Sequence, residues 1–173
     1  MRLFIAIEVA GEAARILKEV QESLPPSVKK TKEFHITLKF LGETESWQDI
    51  DKSMRNLEFE KFSITINDIG AFPNQKFPRV IWAGISESKE LLNLKRDVDS
   101  LIRNFKDDKP FHPHITLART RRETRIDFET LRKILLKGSE RSVLVNSVFL
   151  FKSTLTPEGP VYTKLAEHSA KDF

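Results

Sequence analysis

The sequence predicts an α+β fold of two lobes related by a pseudo-two-fold axis that brings the histidine-bearing strands together centrally. Three observations carry that prediction. Strand-like and helix-like segments alternate along the chain, the tetrapeptide His-Ile-Thr-Leu occurs at both His35–Leu38 and His114–Leu117, and the pattern around the first copy returns around the second. The two histidines stand 79 positions apart, and the same offset carries Ile64-Thr65-Ile66-Asn67 onto Val143-Leu144-Val145-Asn146 and Ile69 onto Val148. An offset of 80 puts Val80-Ile81-Trp82 on Pro160-Val161-Tyr162. Two copies of roughly seventy residues are too few for a solenoid and instead suggest interleaved lobes within one domain, residues 1–173.

The elements follow from local pattern. Arg2 to Val9 reads as a strand, and Gly11 to Leu24 carries Ala14, Leu17, Val20 and Leu24 at helical spacing until Pro25-Pro26 stops it. Val28 to Lys32 and Phe34 to Leu41 read as strands, followed by a helix from Ser46 to Leu57 with Ser46 as its cap. Phe62 to Ile69 alternates apolar and polar residues, and a proline-containing loop leads to a further strand over Arg79 to Ile85. A helix from Ser88 to Phe105 lines up Leu91, Leu94, Val98, Leu101 and Phe105. After the second tetrapeptide come a basic loop, a helix over Phe128 to Lys137, a strand over Ser142 to Phe151, a turn over Pro157 to Pro160 and a strand over Val161 to Leu165.

Composition narrows the chemistry. At 173 residues, 39% hydrophobic and 31% charged, the chain suits one globular domain, expected to be a cytoplasmic monomer. No stretch is long and apolar enough to span a bilayer, and Glu8 falls too early for a signal-peptide core. The chain contains no cysteine, so disulfides, thiolate metal sites and a cysteine nucleophile are excluded. A net charge of +4 favours a phosphate-bearing partner without requiring one.

Two of the four histidines sit in the repeated motif. In a strand, residues i and i+2 share a face, so each copy presents an imidazole beside a hydroxyl while Ile and Leu bury. Two such strands facing one cleft supply one imidazole to take a proton, another to give one, and hydroxyls to hold an oxyanion. His35 and His114 are the expected catalytic pair, and Thr37 and Thr116 the expected phosphate-binding hydroxyls. If the pleat continues, Lys39 shares their face and adds positive potential; a plain surface lysine is the competing expectation. Threonine is a poor zinc ligand and no third strong ligand recurs, so no metal is expected. His112 is expected at the rim, interrupted by Pro113, and His168 on the surface of a polar tail. Trp82 and Tyr162 are candidates for stacking on a base, with core packing the commoner fate of such residues. Arg119, Arg121, Arg122 and Arg125 either track an RNA backbone or are ordinary loop charge.

Phe34-His35-Ile36-Thr37-Leu38-Lys39-Phe40-Leu41-Gly42-Glu43 and Pro113-His114-Ile115-Thr116-Leu117-Ala118-Arg119 resemble the two signatures of the two-histidine phosphoesterases, specifically the RNA 2′,3′-cyclic phosphodiesterase branch long called 2′-5′ RNA ligases. The start Arg2-Leu3-Phe4-Ile5-Ala6-Ile7 and the end Gly159-Pro160-Val161-Tyr162 fit that branch as well. The resemblance implies a bilobal fold with antiparallel sheets lining a central cleft and helices on the outside, no metal or cofactor, Arg119 as a phosphate contact, and RNA ending in a 2′,3′-cyclic phosphate or carrying a 2′-5′ linkage as the partner. It further implies hydrolysis to a 2′-phosphate, with 2′-5′ joining as the reverse reaction. Another cyclic nucleotide as substrate, or a non-catalytic module that holds RNA ends, are the alternatives.

Overall fold

A computed structural model describes residues 1–172. Strand β1 (Arg2–Val9) alternates Leu3, Ile5, Ile7 and Val9 into the main core with Phe4 and Ala6 on the opposite face. Helix α1 (Gly11–Glu22) then folds back over the core face, burying Ala13, Ile16, Leu17 and Val20. Each large side chain so buried contributes about 1.5–3 kcal/mol. Strands β2 (Lys29–Lys30) and β3 (Phe34–Glu43) run as one interrupted strand, and helix α2 (Trp47–Met54) follows. Ser46 stands at the N-cap of α2, but its hydroxyl accepts no capping hydrogen bond; Thr44 Oγ1 instead accepts from the Ser46 N–H at 3.1 Å.

Strands β4 (Phe62–Phe72) and β5 (Val80–Ile85) precede helix α3 (Lys89–Leu101), whose cap Ser88 accepts from the Leu91 N–H at 3.1 Å. Strand β6 (His114–Arg119) and helix α4 (Phe128–Lys137) follow, the latter capped by Asp127 accepting from Thr130 N–H at 3.1 Å. The predicted strand over 142–151 is broken at Asn146, because the chain changes partners there. Strand β7 (Ser142–Val145) pairs with β4, whereas β8 (Ser147–Thr156) pairs with β1 and β9. Strand β9 (Gly159–Ser169) runs past the predicted end at Leu165, since pairing with β8 continues to Ser147↔Ser169. His168 is therefore not a surface residue: it is 9% exposed, with Nε2 3.1 Å from Asp51 Oδ1 on α2.

All pairings are antiparallel, in the order β7-β4-β5-β6-β3-β1-β8-β9, with β2 also on β6. The order reads alike outward from the β3–β6 seam, where Ile36 pairs with Ile115. Helix packing obeys the same symmetry, α1 against α4 and α3 against α2. One expected equivalence is corrected by this order. β5 lies next to β6, so its positional counterpart is β1, next to β3; β9 is two strands further out. Trp82, opposite Thr116, takes the place that Ala6 takes opposite Thr37, and Tyr162 is not its equivalent. No described helix is long and apolar enough to cross a membrane.

Candidate active site

The site is built on the sheet face away from the helices, at the seam. Ile36 and Ile115 are both fully buried and opposite one another, so the antiparallel direction brings His35 toward Thr116 and His114 toward Thr37. All four side chains are half-buried on one face. The expected histidines and threonines are thus gathered as the repeated tetrapeptide implied.

Each imidazole sits in an aromatic frame. His35 lies 5.1 Å from Phe4 and 5.1 Å from Tyr162, the latter edge-on at 83°. His114 meets Phe72 edge-on at 5.0 Å and 88°, and Trp82 lies 6.3 Å away. Trp82 lies flat on the sheet because Gly70 has no side chain; a Cβ there would be 2.4 Å from the indole. Trp82 and Tyr162 therefore line the site. His114 Nδ1 is 2.7 Å from the His112 carbonyl, which accepts its proton and leaves Nε2 for chemistry. His112 itself packs against Phe72 at 5.2 Å and Trp82 at 5.1 Å, as part of the frame.

Two bulges decide what else reaches the cleft. The β1–β3 register slips between Ala6↔Thr37 and Ile5↔Lys39, and the β5–β6 register slips between Trp82↔Thr116 and Ile81↔Ala118. An extra residue, Leu38 or Leu117, reverses the alternation beyond it. Lys39 is consequently turned to the core side, which corrects its expected place beside His35 and Thr37. Its side chain is 2% exposed, with Nζ 2.8 Å from Asp99 and 3.3 Å from Asp107. The same slip brings Arg119 onto the cleft face, where its charge depresses both histidines and acts on Tyr162. At the matched position in the other lobe stands Phe40, 66% exposed and 6.3 Å from Phe4. Sequence reasoning passed over Phe40, although the offset of 79 pairs it with Arg119. It also passed over Glu8, the Cα partner of His35, whose carboxylate is held 2.8 Å from Lys164.

Electrostatics bias both histidines toward the neutral form. Burial is the chief cause for His35, with His114 and Arg119 adding to it against Glu8, and its pKa is lowered to about 4. Burial also lowers His114, with the charges of His112 and Arg119, against the hydrogen bond to the His112 carbonyl. Acid–base work by such a pair needs one neutral and one protonated ring, so an activity that used it would follow a bell between two apparent values that belong to the pair. Both rings lie below the ordinary value of 6.5. The kcat/KM profile on a phosphodiester is therefore expected to peak below pH 6.5 and fall toward neutral and alkaline pH. A bound anion favours imidazolium, so the kcat profile is expected at higher pH than the kcat/KM profile. Two profiles that coincide, with a plateau through pH 8, would contradict this electrostatic assignment.

A family model described as the 2′-5′ RNA ligase superfamily matches residues 7–156. The chain belongs to that superfamily. Among its relatives, an Archaeoglobus fulgidus protein named RNA 2′,3′-cyclic phosphodiesterase is 34% identical, over 95% of this chain and 98% of its own length. An Aquifex aeolicus protein of the same name is 35% identical over 95% and 92%. A crystal structure of a Thermus thermophilus protein superposes with a TM-score of 0.79 at 30% identity, covering 98% of this chain and 97% of that one. The superfamily member described here thus shares its fold with a solved structure along nearly its whole length.

Proposed function

We propose that this superfamily member is an RNA 2′,3′-cyclic phosphodiesterase that opens a terminal 2′,3′-cyclic phosphate to a 2′-phosphomonoester. The observation that carries the proposal is the seam itself, which sets His35-x-Thr37 and His114-x-Thr116 on one face in antiparallel register. The names of the similar archaeal and bacterial proteins support it.

In this mechanism one histidine removes a proton from water as its oxygen bonds to phosphorus. The P–O3′ bond breaks opposite, and the other histidine gives its proton to the leaving O3′. Thr37 and Thr116 donate to the non-bridging oxygens, and Arg119 balances the charge that gathers there. Phe40 and Tyr162 flank the His35 side, where either ring offers a face to the terminal base. With a 5′-hydroxyl in place of water, the same transfers form a 2′-5′ bond. One chain supplies every group named, and the proposal is of a monomer acting in the cytoplasm without a metal or cofactor.

The test is to incubate the protein, with EDTA, with a short RNA ending in a 2′,3′-cyclic phosphate. The expected product is the 2′-phosphate, at a rate that EDTA does not change. A 3′-phosphate product would overturn the bond assignment. No turnover by folded protein would overturn the RNA-end assignment in favour of another cyclic nucleotide.

A further inference from the structure

The cleft has a basic exit at one end. Arg119 closes β6, and directly across the β2–β6 pair stands Lys29. Opposed residues of an antiparallel pair share a face, so Lys29 lies on the cleft side. Its ammonium reaches the tip of the β8–β9 hairpin, where a Cβ on Gly159 would sit 3.3 Å from Nζ.

Beyond Arg119 the chain reads Thr120-Arg121-Arg122-Glu123-Thr124-Arg125, so residues 119–125 hold four arginines and one acid. This loop is built rather than loose. Thr120 and Thr124 are 5% and 9% exposed, with hydroxyls 3.0 Å apart. Each hydroxyl is 3.2 Å from the Arg122 carbonyl, to which the Arg79 guanidinium also donates at 2.9 Å. The Thr120 N–H donates to the Arg79 carbonyl at 3.0 Å. Burying the two threonines leaves Arg121, Arg122 and Arg125 exposed. Among the described residues, none of these three, nor Lys29 or Arg79, makes an ion pair.

A polar clasp that holds like charges close together, without neutralising them, fits a polyanion. The loop carries no aromatic residue, so its contacts are to phosphates and not to bases. Its continuity with Arg119 makes the polyanion the same chain whose end reacts. We propose that the 120–125 loop is a rail for the phosphodiester backbone 5′ of the reacting end, giving preference for RNA chains over mononucleotides without regard to sequence. This inference rests on the RNA-end reading of the seam.

The experiment compares a 2′,3′-cyclic mononucleotide with a ten-nucleotide RNA ending in a 2′,3′-cyclic phosphate, at several salt concentrations. The Arg121→Ala/Arg122→Ala/Arg125→Ala variant is expected to lose about 30-fold in kcat/KM on the RNA at low salt. Its slope of log(kcat/KM) on log salt should shrink by about 2, from ~0.7 per phosphate contact on a single strand. Hydrolysis of the mononucleotide should stay within about twofold. A control that removes equal charge from the helices on the other side of the sheet, Lys52→Ala/Lys89→Ala/Arg96→Ala, should change neither substrate. An unchanged RNA slope in the arginine variant, equal losses on both substrates, or an equal loss in the control would overturn the rail. Should the triple variant fail to fold, Arg121→Gln and Arg125→Gln singly must each lower the slope by about 0.7. If the wild type turns over neither substrate, the catalytic reading fails alone. Fluorescence anisotropy of the labelled RNA then decides the rail with the same variants and the same slopes.

Discussion

His35→Ala and His114→Ala are each expected to lower kcat on a 2′,3′-cyclic phosphate by about 10³-fold, within the ~10²–10⁴ that a placed acid or base contributes. The double variant should be no more than about tenfold worse than either single one, because proton removal and proton donation belong to one concerted displacement. Product binding separates catalysis from mere holding of an RNA end. The threonines and Arg119 remain in both variants, so the affinity for a 2′-phosphorylated product should change less than about tenfold. Fold is preserved for a structural reason: each ring packs among aromatic side chains on the open face of the sheet, while Ile36 and Ile115 hold the seam beneath. His112→Ala offers a control, since the His112 contact to His114 is made by the backbone carbonyl. It should retain much of the activity while removing a ring whose charge depresses His114, moving the His114 titration to higher pH. If alanine at either motif histidine left kcat within threefold, or cost affinity and rate alike, the acid–base pairing would be wrong.

Much of this arrangement was legible because two levels of pattern agree. Alternation along Phe34–Leu38 and Pro113–Leu117 told which residues share a face, and repetition told that two such faces meet. What alternation does not carry is a bulge. Arg119 lies five positions after His114, an odd spacing that an ideal pleat would send to the far side; the resemblance supplied it, not the geometry. Had that spacing been carried across the repeat, it would have picked out Phe40 and excluded Lys39, whose counterpart Ala118 is small, apolar and buried. The wrong equivalence of Trp82 with Tyr162 has another origin: extended segments look alike, and which neighbour a strand finds is a long-range outcome. The same holds for His168, polar by local composition yet drawn under α2 by the last pairs of β8 and β9.

Lys39→Met is expected to destabilise the fold by about 2–3 kcal/mol, lowering Tm by about 4–12 °C. Lys39 and Lys95 share two carboxylates: Lys39 Nζ is 2.8 Å from Asp99 and 3.3 Å from Asp107, and Lys95 Nζ is 2.8 Å and 2.6 Å from the same pair. Two cations facing two anions close the charge balance, and removal of one leaves a carboxylate without its partner. The expected loss is below the ~3–5 kcal/mol of a fully buried broken pair, because the Asp99 and Asp107 side chains are 39% and 32% exposed. Burial works against the Asp99 carboxylate, and the hydrogen bonds from Lys39 and Lys95 outweigh it, so its pKa lies below 3.8 in the folded chain. A depressed carboxylate stabilises above its unfolded pKa and loses that contribution as pH falls through the folded one, so the gap between wild type and Lys39→Met should close below about pH 4. Lys39→Met/Asp107→Asn restores one cation to one anion and should recover part of the loss, a coupling that thermal unfolding of the four-member cycle measures. Asp107 lies in the segment between α3 and His114, so Lys39 ties the strand of one motif histidine to the approach of the other. Equal Tm for wild type and Lys39→Met at pH 7, or strictly additive losses in the double variant, would show that the cluster is solvated charge and not a clamp.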